Sequence, residues 1–425
     1  MADPFVIIGA SLAGGTAAAT LREEGFDGDI VLIGAESQLP YERPPLSKQY
    51  LRGEVPFEKT LVRPAAFYEE NRIHTRLGAR ATRVVPAERA VELETGRRIR
   101  YDKLLITTGG RTRRLPVTGR DLEGIYDLRA VGDADAIRAE AIPGRKAVVV
   151  GMGFIGSEVA ASLRQMGIEV VVVHPARTPL LRVLGEEVGE VMAQVHRDHG
   201  VETIFEDTVA AFEGGRRVDC VVTKGGRRIG CDFAVVGVGI EPNVDLVTGT
   251  GIQTENGILV DEHCRTSLDG VYAAGDVANH YHPVFKRRLR VEHWQNAIKQ
   301  GAAAARSLLG RAQPYEEVHW FWSDQYDVNV QYAGAHTTWD RLIVRGSLAE
   351  RRFLAFYLKE GRIEAVVGLN RGKDLRRSVP LIKARSVVDP TRLQDEGVDL
   401  RSLGSDCEVP REHTEYGSLN LRSAL

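Results

Sequence analysis

Residues 146–158 read KAVVVGMGFIGSE, and no other stretch limits the possible fold as tightly. Four small apolar residues, Ala147, Val148, Val149 and Val150, run without a break into Gly151, Gly153 and Gly156, and an Ala-rich helical pattern follows over 159–166. Strand, glycine turn and helix in that order make the cradle that a dinucleotide pyrophosphate needs. The first glycine permits the tight turn, the second lets backbone approach the phosphates, and the third lets helix and strand pack closely. Free N–H groups and the helix dipole then favour the negative charge. Gly151, Gly153, Phe154, Ile155 and Gly156 are the candidate contacts of this unit.

A second copy stands near the start of the chain. An apolar run over 5–8 leads to Gly9, Ser11 and Gly14 and an Ala-rich helix, followed by the strand pattern of 30–33 and then Glu36, a carboxylate placed to accept hydrogen bonds from a ribose diol. Ser11 takes the middle glycine position, and it is small enough to allow close phosphate approach. Two such units mean two nucleotides, or one nucleotide and a decayed copy.

A chain of 425 residues has room for two or three domains. Its 56 basic and 58 acidic residues leave a net charge of −2, which argues against a nucleic-acid protein with a global basic face. The longest apolar runs, such as 233–240, fall far short of the roughly 20 residues that span a bilayer. The first strand begins within a few residues of Met1, with no signal peptide pattern ahead of it, so a soluble cytoplasmic protein is expected. Cys220, Cys231, Cys264 and Cys407 are widely spaced and suggest neither a disulfide framework nor a metal site. Cys220 and Cys231 lie on neighbouring strand-like segments, where buried free thiols are the commoner arrangement.

Between these landmarks, Pro44 and Pro45 stiffen a loop that carries Arg43 and Lys48 close to the first nucleotide unit and bar a helix until Leu46; Ser47 is a plausible cap for one starting there. Strands are expected over 78–91 and 98–106, the second ending in Thr107, Thr108, Gly109 and Gly110, where backbone must pass close to a neighbour or a cofactor. Arg111, Arg113 and Arg114 begin a hinge with Pro116, and 121–141 reads as a polar helix. The strand 169–173 ends at His174, where an acidic residue would bind the adenosine 2′-OH and repel a 2′-phosphate. With Arg177 three residues on, NADP is not repelled. Gly239 before Pro242 again suggests close approach to a ligand. Gly275 and Asp276 follow an apolar strand, and Asp276 suits either a polyol chain or the cap of a following helix. A helix is expected over 292–309. Beyond Pro314 the segments 329–333, 342–346, 353–358 and 362–368 have the texture of an antiparallel sheet. Basic residues gather at 286–290, including Arg287 and Arg288, and over 371–385, including Arg376 and Arg377; the residues from Ser405 read as a polar tail.

Taken together, the motifs resemble the FAD-dependent ferredoxin reductases of bacterial oxygenase systems, a branch of the pyridine nucleotide-disulfide oxidoreductases without the redox cysteine pair. The resemblance covers about residues 5 to 400. It rests on the loop 41–48 (YERPPLSK), on Thr107, Thr108 and Gly109, on the segment 272–276 (YAAGD), and on 321–325 (FWSDQ). The family fold implies an α/β protein with two Rossmann-like, glutathione-reductase-like domains and a C-terminal α+β domain: FAD over 1–114 and 241–317, NAD(P)H over 115–240, and a reductase domain over 318–425. Departures are Ser11 for glycine, His174 for the usual acid and His319 where proline is common. The implied FAD and nicotinamide contacts add Ala81, Thr108, Gly109, Arg111, Gly239, Trp294 and Trp322 to the residues above, with NADH as the donor and NADPH admissible.

The resemblance also implies that Lys48 lies near the flavin N5 and pairs with Glu158, a cation stabilising the reduced ring. Disulfide reductases of similar fold place a cysteine pair beside the flavin, where this chain has Pro44, Pro45 and Leu46, so dithiol chemistry is excluded. The expected activity is that of a ferredoxin–NAD(+) reductase. Electrons pass from NADH through FAD to an acidic [2Fe–2S] ferredoxin, docked near the basic runs, that serves a cytochrome P450 or a ring-hydroxylating oxygenase. Two other outcomes are a small-molecule acceptor, as in monodehydroascorbate reductases, and a redox-sensing NADH-binding protein. No nucleic acid, membrane or metal is expected, and the chain is a monomer or a homodimer.

Overall fold

A computed structural model describes residues 3–404. The chain start at Met1 and the expected polar tail, with Cys407, lie outside these residues. Three sheets organise the structure. The first is wholly parallel and runs in the order Val271–Ala273, Lys103–Ile106, Phe5–Ile8, Ile30–Ile33 and Ile73–Arg76. Its edge strand comes from late in the chain, so this unit is built from two separated segments. The second sheet is also parallel, in the order Glu202–Phe205, Glu169–His174, Lys146–Val150, Phe233–Val236 and Ile125–Tyr126. Parallel strands are buried on both faces, which is why their sequences are nearly unbroken apolar runs such as FVII and KAVVV.

The two parallel sheets meet at a crossing. Gly110–Thr112 leaves the first unit and pairs antiparallel with Ile240–Pro242, which returns to it. Arg113 extends the pairing by donating its backbone N–H to the Gly239 carbonyl at 2.9 Å.

The third sheet is antiparallel, in the order Trp320–Gln325, Val328–Gly334, Arg362–Leu369, Arg352–Lys359 and Arg341–Ser347. Its strand Arg352–Lys359 shows why this region is more than an appendage. Leu354, Phe356 and Leu358 pack with Leu375, Leu381 and Ile382 of the helix Gly372–Ala384. The alternate residues Phe353, Ala355 and Tyr357 pack with Leu184, Val188, Met192 and Val195 of the helix Leu181–Asp198, which follows the second parallel sheet's central strands. A period-two strand with both faces apolar thereby joins the C-terminal sheet to the nucleotide unit before it.

Two local expectations need correction. Residues 121–141 do not form one helix: Gly124 takes a left-handed backbone conformation (φ +83°), Ile125 and Tyr126 add an edge strand, and the helix is confined to Val131–Glu140. Asp133 ties its start by accepting the backbone N–H groups of Arg129 and Ala130, each at 2.8 Å. Nor does a helix begin at Ser47. Pro44 and Pro45 instead open a 3-10 turn, Pro44–Ser47, because the first helical positions do not use their N–H groups.

His196 links two of these bodies. It is fully buried on the helix Leu181–Asp198, and its Nε2 lies 2.9 Å from Oε1 of Gln325 in the C-terminal sheet. Burial pushes its pKa down to about 4, so the unfolded chain takes up this proton first, near pH 6.5. Its stabilising contribution is complete above roughly pH 6.5 and is lost as pH falls toward 4, at about 1.4 kcal/mol per pH unit. Denaturant titrations at about pH 7, 6 and 5 should therefore show a slope smaller by one proton in His196→Gln; equal slopes in both proteins would remove His196 from the acid response.

Candidate active site

Because the strands of each parallel sheet point the same way, their carboxyl ends deliver functional residues to one edge. In the first unit those residues are Gly9 after Ile8, Glu36 beyond Ile33, Thr107 to Gly109 after Ile106, and Gly275 and Asp276 beyond Ala273. The glycine turn admits nothing larger at Gly14, where a Cβ would overlap the carbonyl oxygen of Gly9. Thr107 Oγ1 donates toward the same carbonyl at 2.9 Å and braces the turn. In the second unit a Cβ at Gly156 would likewise overlap the Gly151 carbonyl, so both turns are built alike.

The middle positions behave differently. Ser11 and Gly153 are the N-caps of the helices Leu12–Glu23 and Phe154–Gln165, and both have extended backbone (φ −122° and −77°) that any residue adopts. Serine at the first site therefore costs no backbone strain. A Cβ at Gly153 would meet no atom within 4 Å, so the space ahead of that helix is open. Among the described residues, Gln300 Nε2 is a buried donor without a hydrogen bond, whereas Trp294 lies against the Glu42 carboxyl. Gln300 Oε1 meanwhile accepts the Gly275 N–H at 2.8 Å. Open space before the second helix N-terminus and an unpaired donor beside Gly275 fit dinucleotide-binding units.

A chain of polar contacts crosses the first site. Arg43 pairs with Glu36 at 2.6 Å, and the Tyr41 hydroxyl also donates to Glu36. Burial alone would raise the Glu36 pKa, but the Arg43 charge and these hydrogen bonds outweigh it and hold the group below its ordinary value. Arg43 also donates to the backbone carbonyl of Arg129, whose guanidinium pairs with Asp276 at 2.9 Å. Asp276 is thus an ion-pair partner and not a helix cap. The second motif's acid and the proline-stiffened loop are joined through Arg129, a residue no motif singled out.

Lys48 and Glu158 meet at 2.6 Å, and both side chains are about 95% shielded, with 5% and 4% exposure. Ser47 donates to the same carboxylate oxygen as Lys48, and Ser323 Oγ donates to the other at 2.7 Å. Ser47 was legible as a helix cap and Ser323 only as part of the 321–325 segment, and neither reading pointed to this carboxylate. Trp294 and Trp322 stand edge to face, 5.4 Å between ring centroids. Phe154 meets Phe321 edge to face at 4.6 Å, and Ile155 is 43% exposed at the helix start.

Other expected site residues lie further out. Ala81 opens the strand Ala81–Val85 and packs against the cluster containing Ile8 and Ile33. The guanidinium of Arg111 is paired with Glu241 at 2.6 Å and with Asp245, on the returning strand and just after it. Thr108 and Gly109 are stitched to Asn243, through Thr108 Oγ1 to the Asn243 carbonyl at 2.8 Å and the Asn243 N–H to the Gly109 carbonyl at 3.0 Å. Gly239 sits at the crossing with φ +94°. His174 Nδ1 accepts the Met152 N–H at 3.0 Å, and burial lowers its pKa, so it is a neutral brace for the glycine turn. Arg177 lies 3.4 Å from Glu206 and 3.7 Å from Glu186. Arg376 and Arg377 are exposed on the helix Gly372–Ala384. Arg287 is held by Thr337 and the Ala335 carbonyl, and Arg288 by the carbonyls of Val260 and Asn279.

The pyridine nucleotide-disulphide oxidoreductase family matches residues 3–301, and the reductase C-terminal family matches 320–404. The chain is 39% identical over 405 residues to the anthranilate 1,2-dioxygenase system ferredoxin–NAD(+) reductase component of Burkholderia cepacia, covering 95% of this chain and 99% of that one. It is 35% identical over 407 residues to putidaredoxin reductase of Pseudomonas putida, covering 94% and 96%. The crystal structure of the covalent putidaredoxin reductase–putidaredoxin complex superposes with a TM-score of 0.92 at 35% identity, covering 95% of this chain and 98% of that chain.

The two second-unit glycines separate packing from ligand contact. Gly156→Ala forces backbone apart and should lower both thermal stability and NADH affinity. Gly153→Ala enters open space, so melting should be unchanged while the NADH dissociation constant rises about tenfold or more. Calorimetric titration and thermal melts of both variants check this; unchanged NADH affinity in Gly153→Ala would place the pyrophosphate elsewhere.

Proposed function

The chain belongs to the pyridine nucleotide-disulphide oxidoreductase family, and from that membership we propose that it is an FAD-dependent ferredoxin–NAD(+) reductase supplying single electrons to a [2Fe–2S] ferredoxin of an oxygenase system. The observation that carries the reading is the buried Lys48–Glu158 pair, which brings the loop of the first nucleotide unit onto the helix of the second. A pyridine nucleotide delivers two electrons together, and FAD releases them one at a time. The protein's own part is positional and electrostatic. Glu158 and its two serine partners hold Lys48 as a fixed, dehydrated cation at the junction, where it favours negative charge on a neighbouring ring. Trp294, Trp322, Phe154 and Phe321 wall the junction with apolar surface. The domain division that accompanies this reading is FAD over 1–114 and 241–317, nicotinamide over 115–240, and the reductase domain from 318.

NADH is the preferred donor. His174 is spent on the Met152 N–H, and Glu186 and Glu206 flank Arg177, so a 2′-phosphate would meet two carboxylates before it met an available cation. The ferredoxin docks on a positive face. The Arg385 guanidinium lies 5.5 Å over the Phe285 ring, and Arg287, Lys359, Arg362 and Arg385 line one hollow with it; Glu364 and Glu360 line it too and pair with Arg385 and Arg362, so the cations exceed the acids there by two. That contact joins the two basic runs, with Arg376 and Arg377 further along the same helix. A cytoplasmic location accords with this role, and among the described residues no helix is long and apolar enough to cross a membrane.

Anaerobic stopped-flow mixing with NADH, with NADPH and then with a [2Fe–2S] ferredoxin tests the assignment. Flavin bleaching faster with NADH and followed by one-electron ferredoxin reduction is the expected sequence; bleaching with no ferredoxin reduced would favour a small-molecule acceptor. Lys48→Ala should retain FAD and slow flavin reduction by about ten- to a hundredfold, whereas an unchanged rate removes Lys48 from the step. Raising salt from about 0.05 to 0.5 M should depress ferredoxin reduction steeply and leave flavin reduction by NADH nearly constant.

A further inference from the structure

Three histidines converge between the strand that follows Asp276 and the entry of the C-terminal sheet. His280 and His282 lie on the strand Ala278–His282, whose alternation turns both inward and leaves Tyr281 between them exposed. His319 lies just before the strand Trp320–Gln325, where its backbone carbonyl accepts the Gly334 N–H at 2.8 Å. The three rings approach pairwise with centroids 5.5, 5.3 and 5.1 Å apart. Relative exposures are 1%, 0% and 0%.

Most of their nitrogens lack partners. Among the described residues, both ring nitrogens of His319 and Nδ1 of His282 are buried without a hydrogen bond, and His280 has only the Leu289 backbone beside one of its two. Buried polar atoms are ordinarily satisfied, and four open nitrogens in one spot call for something that protein groups do not provide. The remaining nitrogen, His282 Nε2, lies 3.0 Å from the Glu317 carbonyl. It must donate there, which fixes the tautomer and leaves the Nδ1 lone pair free. A carbonyl holding the outer N–H of an imidazole is the usual support behind a metal ligand.

We propose that His280, His282 and His319 form a three-imidazole site for zinc. One nitrogen from each residue lies within 4.8 Å of the other two. Tetrahedral zinc with Zn–N near 2.0 Å needs these atoms about 3.4 Å apart, so the rings close modestly on the ion. Neutral imidazoles suit zinc and its late first-row neighbours, and a carboxylate-preferring ion such as magnesium does not match this donor set. Burial keeps the rings neutral, pushing His280 down to about 3 and His319 well below its ordinary value. The bound ion would tie a strand of the flavin-side segment to the entry of the C-terminal sheet. Water is the competing occupant, because it too can satisfy several of these nitrogens.

The test uses the FAD-loaded protein without an affinity tag, purified from cells grown with added zinc and passed through chelator-free gel filtration. Elemental analysis should find about one zinc per flavin. His319→Phe should lose at least about nine-tenths of it while flavin content stays unchanged. X-ray absorption of the wild-type protein needs no variant and should show imidazole nitrogens near 2.0 Å from the metal. Wild-type protein with less than about a tenth of a zinc per flavin, zinc retained in His319→Phe, or an absorption spectrum without imidazole scattering would each overturn the assignment and leave water as the occupant.

Discussion

One carboxylate sets the relative placement of the three sheets. Glu158 belongs to the helix of the second nucleotide unit, Lys48 and Ser47 to the loop of the first, and Ser323 to the C-terminal sheet. A charge removed from water is costly unless its partners are in place, and losing one partner from such a pair costs about 3–5 kcal/mol. No single unit can satisfy Glu158 by itself. Docking of all three is thus a condition for burying it, and the same docking creates the junction at which we place the flavin and the nicotinamide. The constraint that assembles the molecule and the charge proposed to assist its chemistry are the same pair of side chains.

The larger architecture was written plainly in the residues. Glycine turns after apolar runs placed both nucleotide units, and the alternating segments beyond Pro314 announced an antiparallel sheet. What escaped reading was short or distant. The edge strand Ile125–Tyr126 has two residues, too few to show a period, and the polar sequence around it imitates a helix. Arg129 reaches Asp276 across 147 positions, and such a contact leaves no local trace. His319 stood out only as a departure from a common proline, and nothing near it hinted at the pair two strands away.

Position within a motif proved more informative than residue type. The outer glycines are demanded by backbone collision, whereas the cap position between them tolerates a side chain because its torsions are ordinary and its surroundings open. The prolines of the loop 41–48 give a similar lesson. They open a 3-10 turn, and the rigidity they confer places Ser47 and Lys48 on one buried acid.

The antiparallel crossing of Gly110–Thr112 with Ile240–Pro242 means that the intervening segment departs and returns through a single doorway. Arg111 and Arg113 latch that doorway, to Glu241 and Asp245 and to the Ile240 carbonyl. A body attached this way is modular in the literal sense: its two ends are already neighbours, so its removal leaves a gap that one short tie can close. Any body threaded through this doorway must still offer a carboxylate to Lys48 and an apolar helix to Phe353, Ala355 and Tyr357, so the doorway frees the chain path while the packed faces restrict what can pass through it.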